Sequence, residues 1–144
     1  MKTKKLAAVS LIVLALNQSI FATEMMQDND HRKSLGIKGS AQGIHQLSNM
    51  REHMIALRDV VKYMNAEKYD EASKVAKEKL GLSIKMNSMC GSFHNKSFET
   101  MGVAFHKSAD DLAQTLKTKD YKKSMLALEK VMNGCVLCHS AFKQ

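Results

Sequence analysis

The sequence predicts an all-α protein, an antiparallel four-helix bundle, on two observations. The chain of 144 residues contains no proline, which is the strongest helix breaker. Beyond residue 40, apolar residues recur at alternating steps of four and three, which is the spacing of one helix face, and no segment carries a strand signal. Four amphipathic helices joined by short connections favour the bundle.

Each of the four helices has its own boundary signals. The first is predicted over residues 43–65 and the second over about 67–89, where Gly81 is expected to kink or interrupt it. The third begins near Ser97, a plausible N-cap, and Asp120 is expected to cap the fourth. The apolar face of the first helix comprises Gly43, Leu47, Met50, Met54, Leu57, Val61 and Met64, and that of the fourth comprises Tyr121, Met125, Leu128, Met132, Cys135, His139 and Phe142.

The N-terminus has the pattern of a secretory signal peptide. Three lysines among the first five residues precede an apolar run over residues 6–16, and a small residue, Ala22, follows. This run is about half as long as a membrane-spanning helix requires. We therefore expect residues 1–22 to be removed, residues 23–40 to form a flexible arm and residues 41–144 to form the bundle, with no membrane span in the mature chain.

The charge of the mature chain is moderately positive. Removal of residues 1–22 takes away three of the 22 basic residues and no acidic one, so the formal charge falls from +8 to +5. Such a charge can steer association with an acidic partner. The basic residues are spread along the chain and aromatic residues make up only 6% of it. This distribution argues against a nucleic-acid partner.

The segment Cys135-Val136-Leu137-Cys138-His139 has the C-x-x-C-H pattern of covalent haem attachment. On a helix, Cys138 lies about 60° to one side of Cys135 and His139 about 40° to the other, so all three side chains leave within an arc of about 100°. Two thiols can then bond the two vinyl groups of one porphyrin while the imidazole reaches the iron. The motif predicts one covalent haem c, with His139 as the axial iron ligand.

Three alternatives to haem attachment remain open for this motif. A redox-active C-x-x-C is usually found near a βαβ unit, and the sequence predicts none. A structural zinc site needs four ligands, which Cys90 and a histidine could complete, although the spacing matches no familiar zinc pattern. The third alternative is chance. In an oxidising compartment three cysteines cannot all pair internally, so Cys90 could also form an intermolecular disulfide.

A C-terminal C-x-x-C-H on the last helix of an exported four-helix protein resembles the class II cytochromes c, the family of cytochrome c′ and cytochrome c-556. The resemblance covers roughly residues 43–143 and is strongest in the last 25 residues. It implies a periplasmic monohaem cytochrome that acts in electron transfer and is not an enzyme. Its implied partners are periplasmic redox proteins and a second copy of the chain. Lys143 matches the basic residue that the family places beside the proximal imidazole.

The resemblance also implies candidates for the sixth iron position. Val60, Val61 and Lys62 match the end of the family's first helix and place Leu47 at the distal position, as an apolar lid over five-coordinate iron. Met50, one turn further on, is the alternative sixth ligand, and its thioether would raise the reduction potential. The remaining candidates for this position are His45 and His53. A Leu47 lid implies the alternative function, the binding of nitric oxide or carbon monoxide.

Some further residues have ordinary and less ordinary interpretations. A soft-ligand cluster that could hold copper comprises Met86, Met89, Cys90 and His94, but we expect packing at the end of the second helix, with His94 in a loop. His106 is expected at the surface or an interface. Gly134 is explained by close approach of the backbone to a porphyrin. The place where the family often has an arginine for a haem propionate holds Gln42 and Gly43.

Overall fold

The computed structural model of the chain describes residues 30–144. The predicted signal peptide, residues 1–22, and residues 23–29 of the predicted arm lie outside this range. Residues 32–144 form one compact unit, and its elements are mostly helical, which confirms the all-α prediction. In chain order they are β1 (Lys33–Ser34), α1 (Ala41–Asn65), α2 (Tyr69–Val75), a π-helical segment (Ala76–Leu80), α3 (Ile84–Gly91), α4 (Lys96–Leu116), α5 (Tyr121–Ala141) and β2 (Phe142–Lys143).

Side-chain caps define where the long helices begin. Ser40 caps α1, because its hydroxyl oxygen accepts from the Gly43 N–H at 3.0 Å, so the helix starts two residues before the prediction. Asp120 caps α5 as predicted and accepts from the Lys123 N–H at 2.9 Å. The predicted cap of α4, Ser97, is wrong. Asn95 caps α4 instead, accepting from the backbone N–H three residues later at 3.1 Å.

The helix α4 is central to the core of this unit. It packs against α2, the π-helical segment, α3 and α5. Its buried side chains are Phe98, Phe105, His106, Ala109, Leu112, Ala113 and Leu116. His106 was expected at the surface or at an interface. The surface position is wrong, since only 3% of His106 is exposed within this chain. The Nδ1 of His106 lies 2.6 Å from the Leu80 carbonyl oxygen, which satisfies one polar atom of the ring.

The apolar face predicted for each of α1 and α5 consists of two rows of side chains, and successive members of a row are seven residues apart. In each helix mainly one of the two rows is covered. The covered row of α1 comprises Gly43, Met50, Leu57 and Met64, and that of α5 comprises Leu128 and Cys135 and continues to Phe142 in β2. Met50 and Cys135 are half-buried, and Tyr121, at the start of the α5 row, is exposed. The exposed rows are Leu47, Met54 and Val61 on α1 and Met125, Met132 and His139 on α5. Both helices are therefore rotated about their axes relative to the predicted orientation.

The second predicted helix is interrupted at Gly81, as expected. The residue is extended, with φ −66° and ψ 163°, directly after the π-helical segment. A Cβ atom at this position would overlap the Asp110 carboxylate and the Lys77 carbonyl group. That carboxylate accepts from the Leu82 N–H at 3.3 Å and from Lys77 Nζ at 2.8 Å. The break thus depends on close approach between α4 and the backbone at Gly81.

Residues 32–37 form a strap across the end of α5. Lys33 and Ser34 pair in parallel with Phe142 and Lys143, and the Leu35 N–H donates to the Lys143 carbonyl at 2.8 Å. Ile37 is buried. This segment was expected to belong to a flexible arm; in the structure its backbone is hydrogen-bonded to residues 142–143.

None of the helices in residues 30–144 combines the length and apolar character that crossing a membrane requires.

Replacing Gly81 by alanine should destabilise the protein, because the new Cβ must displace the Asp110 carboxylate or the Lys77 carbonyl. We expect the free energy of unfolding to fall by about 1–3 kcal/mol in a urea titration. Gly91→Ala is the matched control, since its Cβ would meet only Glu99, at an ordinary 3.9 Å. Equal stability of the two variants would contradict the role assigned to Gly81.

Candidate functional site

The C-x-x-C-H motif occupies the last two turns of α5. The side chains of Cys135 and Cys138 are half-buried, whereas His139 is exposed. The Cys135 thiol donates to the Val131 carbonyl oxygen at 3.7 Å. The helix ends at Ala141, and the next N–H donates back to the Cys138 carbonyl. Two thiols turned partly toward the interior thus lie next to an imidazole that faces the solvent.

The surroundings of the two thiols of the motif disfavour their ionisation. Burial raises the pKa of Cys135 and of Cys138 above the ordinary value, and for Cys138 the neighbouring sulfurs of Cys135 and Cys90 raise it further. Redox-active C-x-x-C motifs show the opposite shift, because a lowered pKa gives a reactive thiolate. The arrangement therefore does not favour thiol–disulfide exchange.

The helix α4 supports the motif from beneath. Gly134 packs on Phe105, and a Cβ atom on this glycine would come within 3.2 Å of the Phe105 ring. Close packing on Phe105 thus gives Gly134 a role within the chain itself, and the approach of a porphyrin stays a prediction. Near the end of α5, the rings of Phe142 and Phe98 meet edge to face, with centroids 5.4 Å apart. The sequence did not indicate this contact between Phe105 and the motif helix, because it joins residues on two different helices.

The strap contributes a cation that the sequence analysis missed. Arg32 Nη1 donates to the His139 carbonyl oxygen at 3.4 Å across 107 residues of chain. No local signal could have found this contact, because it depends on the pairing of residues 33–34 with residues 142–143. Lys143 lies in β2, beyond the end of α5, and its carbonyl accepts from Leu35. The chain therefore leaves the helix before Lys143, and the placement of Lys143 beside the His139 imidazole stays a prediction.

The candidates for the distal position all lie on α1, and the structure separates them by exposure. Leu47 is 44% exposed, Met50 is half-buried and His45 is exposed. The Gln144 side-chain amide donates to the Gly43 carbonyl at 3.1 Å, which brings the first turn of α1 to the C-terminus of the chain. The start of α1, one turn before Leu47, thus lies near the end of the motif helix.

The fourth candidate, His53, is a residue of the interior. It is 8% exposed, and its ring centroid lies 5.2 Å from that of Phe105 and 5.5 Å from that of His106. Gly134, which packs on the same Phe105 ring, lies about 140° around α5 from His139. The contacts of His53 therefore lead to the side of α5 away from the exposed imidazole, which disfavours it as an axial ligand.

Burial changes the titration of this histidine pair. Burial, followed by the nearby His106, lowers the pKa of His53 from 6.5 to about 4. Burial also lowers the pKa of His106, against the opposing effects of the Leu80 carbonyl and Asp110. Both imidazoles are consequently neutral in the folded protein at pH 7.

The soft-ligand cluster has the packing role that we expected. Cys90 is buried, and a Cβ on Gly102 of α4 would come within 2.8 Å of its sulfur. Met89 Sδ lies 2.9 Å from the side-chain nitrogen of Asn49. Within residues 30–144, no group of three or more His, Cys, Asp or Glu side chains is arranged to hold a metal ion, so the zinc alternative gains no support.

Comparison with protein-family models, with curated proteins and with solved structures finds no match for this chain.

The lowered pKa of His53 predicts a loss of stability in acid. His53 binds a proton near pH 6.5 in the unfolded chain but only near pH 4 in the folded protein. The free energy of unfolding should therefore decrease by about 2–3 kcal/mol between these two pH values. His53→Gln should show a smaller decrease between pH 7 and pH 5 than the wild type in urea titrations. His45→Gln, at an exposed position of the same helix, should decrease as the wild type does. A pH dependence unchanged by His53→Gln would contradict the assignment.

Proposed function

We propose that this chain is a periplasmic monohaem c-type cytochrome that transfers electrons and turns over no substrate of its own. Cys135 and Cys138 hold one haem covalently, and His139 ligates its iron. The observation that carries the proposal is the arrangement on α5, where two half-buried thiols and an exposed imidazole leave one side of the last two turns. Periplasmic localisation rests on the predicted signal peptide.

The proposed architecture is an antiparallel four-helix bundle in which the segments 69–80 and 84–91 together make up the second helix. Contacts between α4 and α5 support an antiparallel arrangement. Gly134 contacts Phe105 and Phe142 contacts Phe98, so the contact positions descend along α4 as they ascend along α5. The hydrogen bond of Gln144 to Gly43 supports the meeting of the first helix's start with the last helix's end.

The residues around the motif fit a porphyrin. On α5, Met132 and Val136 are 52% and 64% exposed, and they lie one or two turns before His139 on the same side of the helix. The exposed row of α1 offers a further apolar surface. Covering such a surface with the apolar face of a porphyrin is favourable, because it removes apolar area from water. A bound haem supplies an iron centre that accepts and donates single electrons.

The thiols perform the attachment step in this proposal. Cys135 and Cys138 would each hold the haem through one thioether bond, which addition of the S–H across a vinyl group would form without an oxidant or reductant. The raised pKa values of Cys135 and Cys138 keep the sulfurs protonated before attachment. His139 at the surface places the ligated side of the site within reach of a docking redox protein, and the positive net charge favours an acidic one.

Covalent haem attachment predicts a mass that the bare chain cannot have. The mature protein, expressed with export and haem-attachment machinery, should exceed its chain mass by about 616 Da and keep its haem in acid acetone. Cys135→Ala together with Cys138→Ala should abolish the increase. The matched control is Cys90→Ala, which removes the third, buried thiol and should retain the haem.

A wild-type protein that weighs the same as its chain after export would overturn the proposal. Retention of the full mass increase by the double variant would overturn the assignment of the two thiols.

The residue at the sixth iron position distinguishes two functions. One is electron transfer through low-spin iron, and the alternative is the binding of nitric oxide or carbon monoxide. With Leu47 as an apolar lid, carbon monoxide should change the spectrum of the reduced protein rapidly. With Met50 as the sixth ligand, the ferric protein should show a methionine–iron charge-transfer band that Met50→Leu removes. Leu47→Ala is the control, since it leaves the thioether in place. Such a band, lost in Met50→Leu, would exclude the Leu47 lid.

A further inference from the structure

The strap places a permanent positive charge at the proposed axial ligand. Arg32 Nη1 donates to the carbonyl oxygen of His139 itself, at 3.4 Å. The backbone of the strap is held by pairing of Lys33 with Phe142 and by the Leu35 N–H, which donates to the Lys143 carbonyl at 2.8 Å. We infer that Arg32 raises the reduction potential of the iron bound by His139. This inference rests on the proposed function.

The direction of the effect follows from charge. Ferric haem carries one more positive charge than ferrous haem, so a nearby cation disfavours the ferric form and raises the potential. Arginine suits this role because its guanidinium stays protonated at every relevant pH. The hydrogen bond to His139 keeps that charge next to the ligating residue.

The position at the end of α5 strengthens the case. The last carbonyl groups of a helix carry a partial negative charge, which would stabilise ferric iron at His139. A basic side chain that bonds one of these carbonyls offsets that charge. Two further cations, Lys33 and Lys143, lie on the paired strands at the same end of α5. The side chain of Arg32 bonds the main chain of the proposed iron ligand directly.

The test is the midpoint potential of the haem-loaded protein in a spectroscopic redox titration. Arg32→Gln should raise the ferric-to-ferrous ratio at a fixed applied potential about three- to tenfold, a downward shift of about 30–60 mV at about 59 mV per tenfold. Arg32→Lys should keep most of the wild-type potential. Lys117→Gln is the control; it removes the same charge at the far end of α4, about 28 Å along that helix from Phe98. The shift should shrink at high ionic strength, because the side chain is exposed.

The outcomes separate this inference from the proposed function. Absence of covalent haem from the wild type would overturn both. A haem-loaded Arg32→Gln protein with the potential of the wild type, or with a shift no larger than that of Lys117→Gln, would overturn the inference and leave the proposed function standing. If Arg32→Lys shifts as far as Arg32→Gln, hydrogen-bond geometry rather than charge acts on the iron, and the inference is wrong. Equal haem content and circular dichroism among the variants exclude a general loss of structure.

Discussion

The contact of Gly134 with Phe105 is the constraint on which the site depends. Because Gly134 has no side chain, the backbone of α5 packs closely on the ring of Phe105, and a Cβ atom here would lie 3.2 Å from that ring and push it away by a few tenths of an ångström. This approach fixes the rotation of α5, and the rotation decides that Cys135 and Cys138 turn partly inward while His139 turns outward. The same ring packs on His53, so one aromatic side chain joins α1, α4 and α5 at the level of the motif.

The sequence predicted the helices well because their signals are local. Asp120, Gly81 and the end of α1 at Asn65 behave as predicted, since capping, chain breaking and periodicity depend on neighbouring residues. The cap of α4 was misassigned by two residues because asparagine and serine cap equally well. Periodicity could not decide which of two apolar rows on α1 and α5 is covered. That choice depends on the neighbours of each helix, and here it leaves Leu47, Met54 and Met132 exposed.

The candidate site was predictable in its chemistry and not in its surroundings. The spacing of Cys135, Cys138 and His139 shows which side chains leave together, because helix geometry is fixed. The burial of His106 and the contact of Arg32 with His139 arise between elements distant in sequence. No periodicity reports such contacts. Lys143 was assigned by the resemblance alone, whereas in the structure the chain leaves the helix after Ala141 to pair with the strap.

The exposed rows and the strap together suggest how this site divides its tasks. The half-buried thiols have raised pKa values, so the site does not favour the thiolates that disulfide exchange requires. Apolar residues beside His139, such as Met132 and Val136, remain uncovered by the chain itself, and under the proposed function the porphyrin covers this side of α5. A positive charge lies at the opposite end of the motif, on Arg32 of the strap, 107 residues before His139 in the chain. Under the proposed function, attachment and electrostatic tuning depend on different parts of the chain, so a substitution at Arg32 would change the potential without altering the residues proposed to hold the haem.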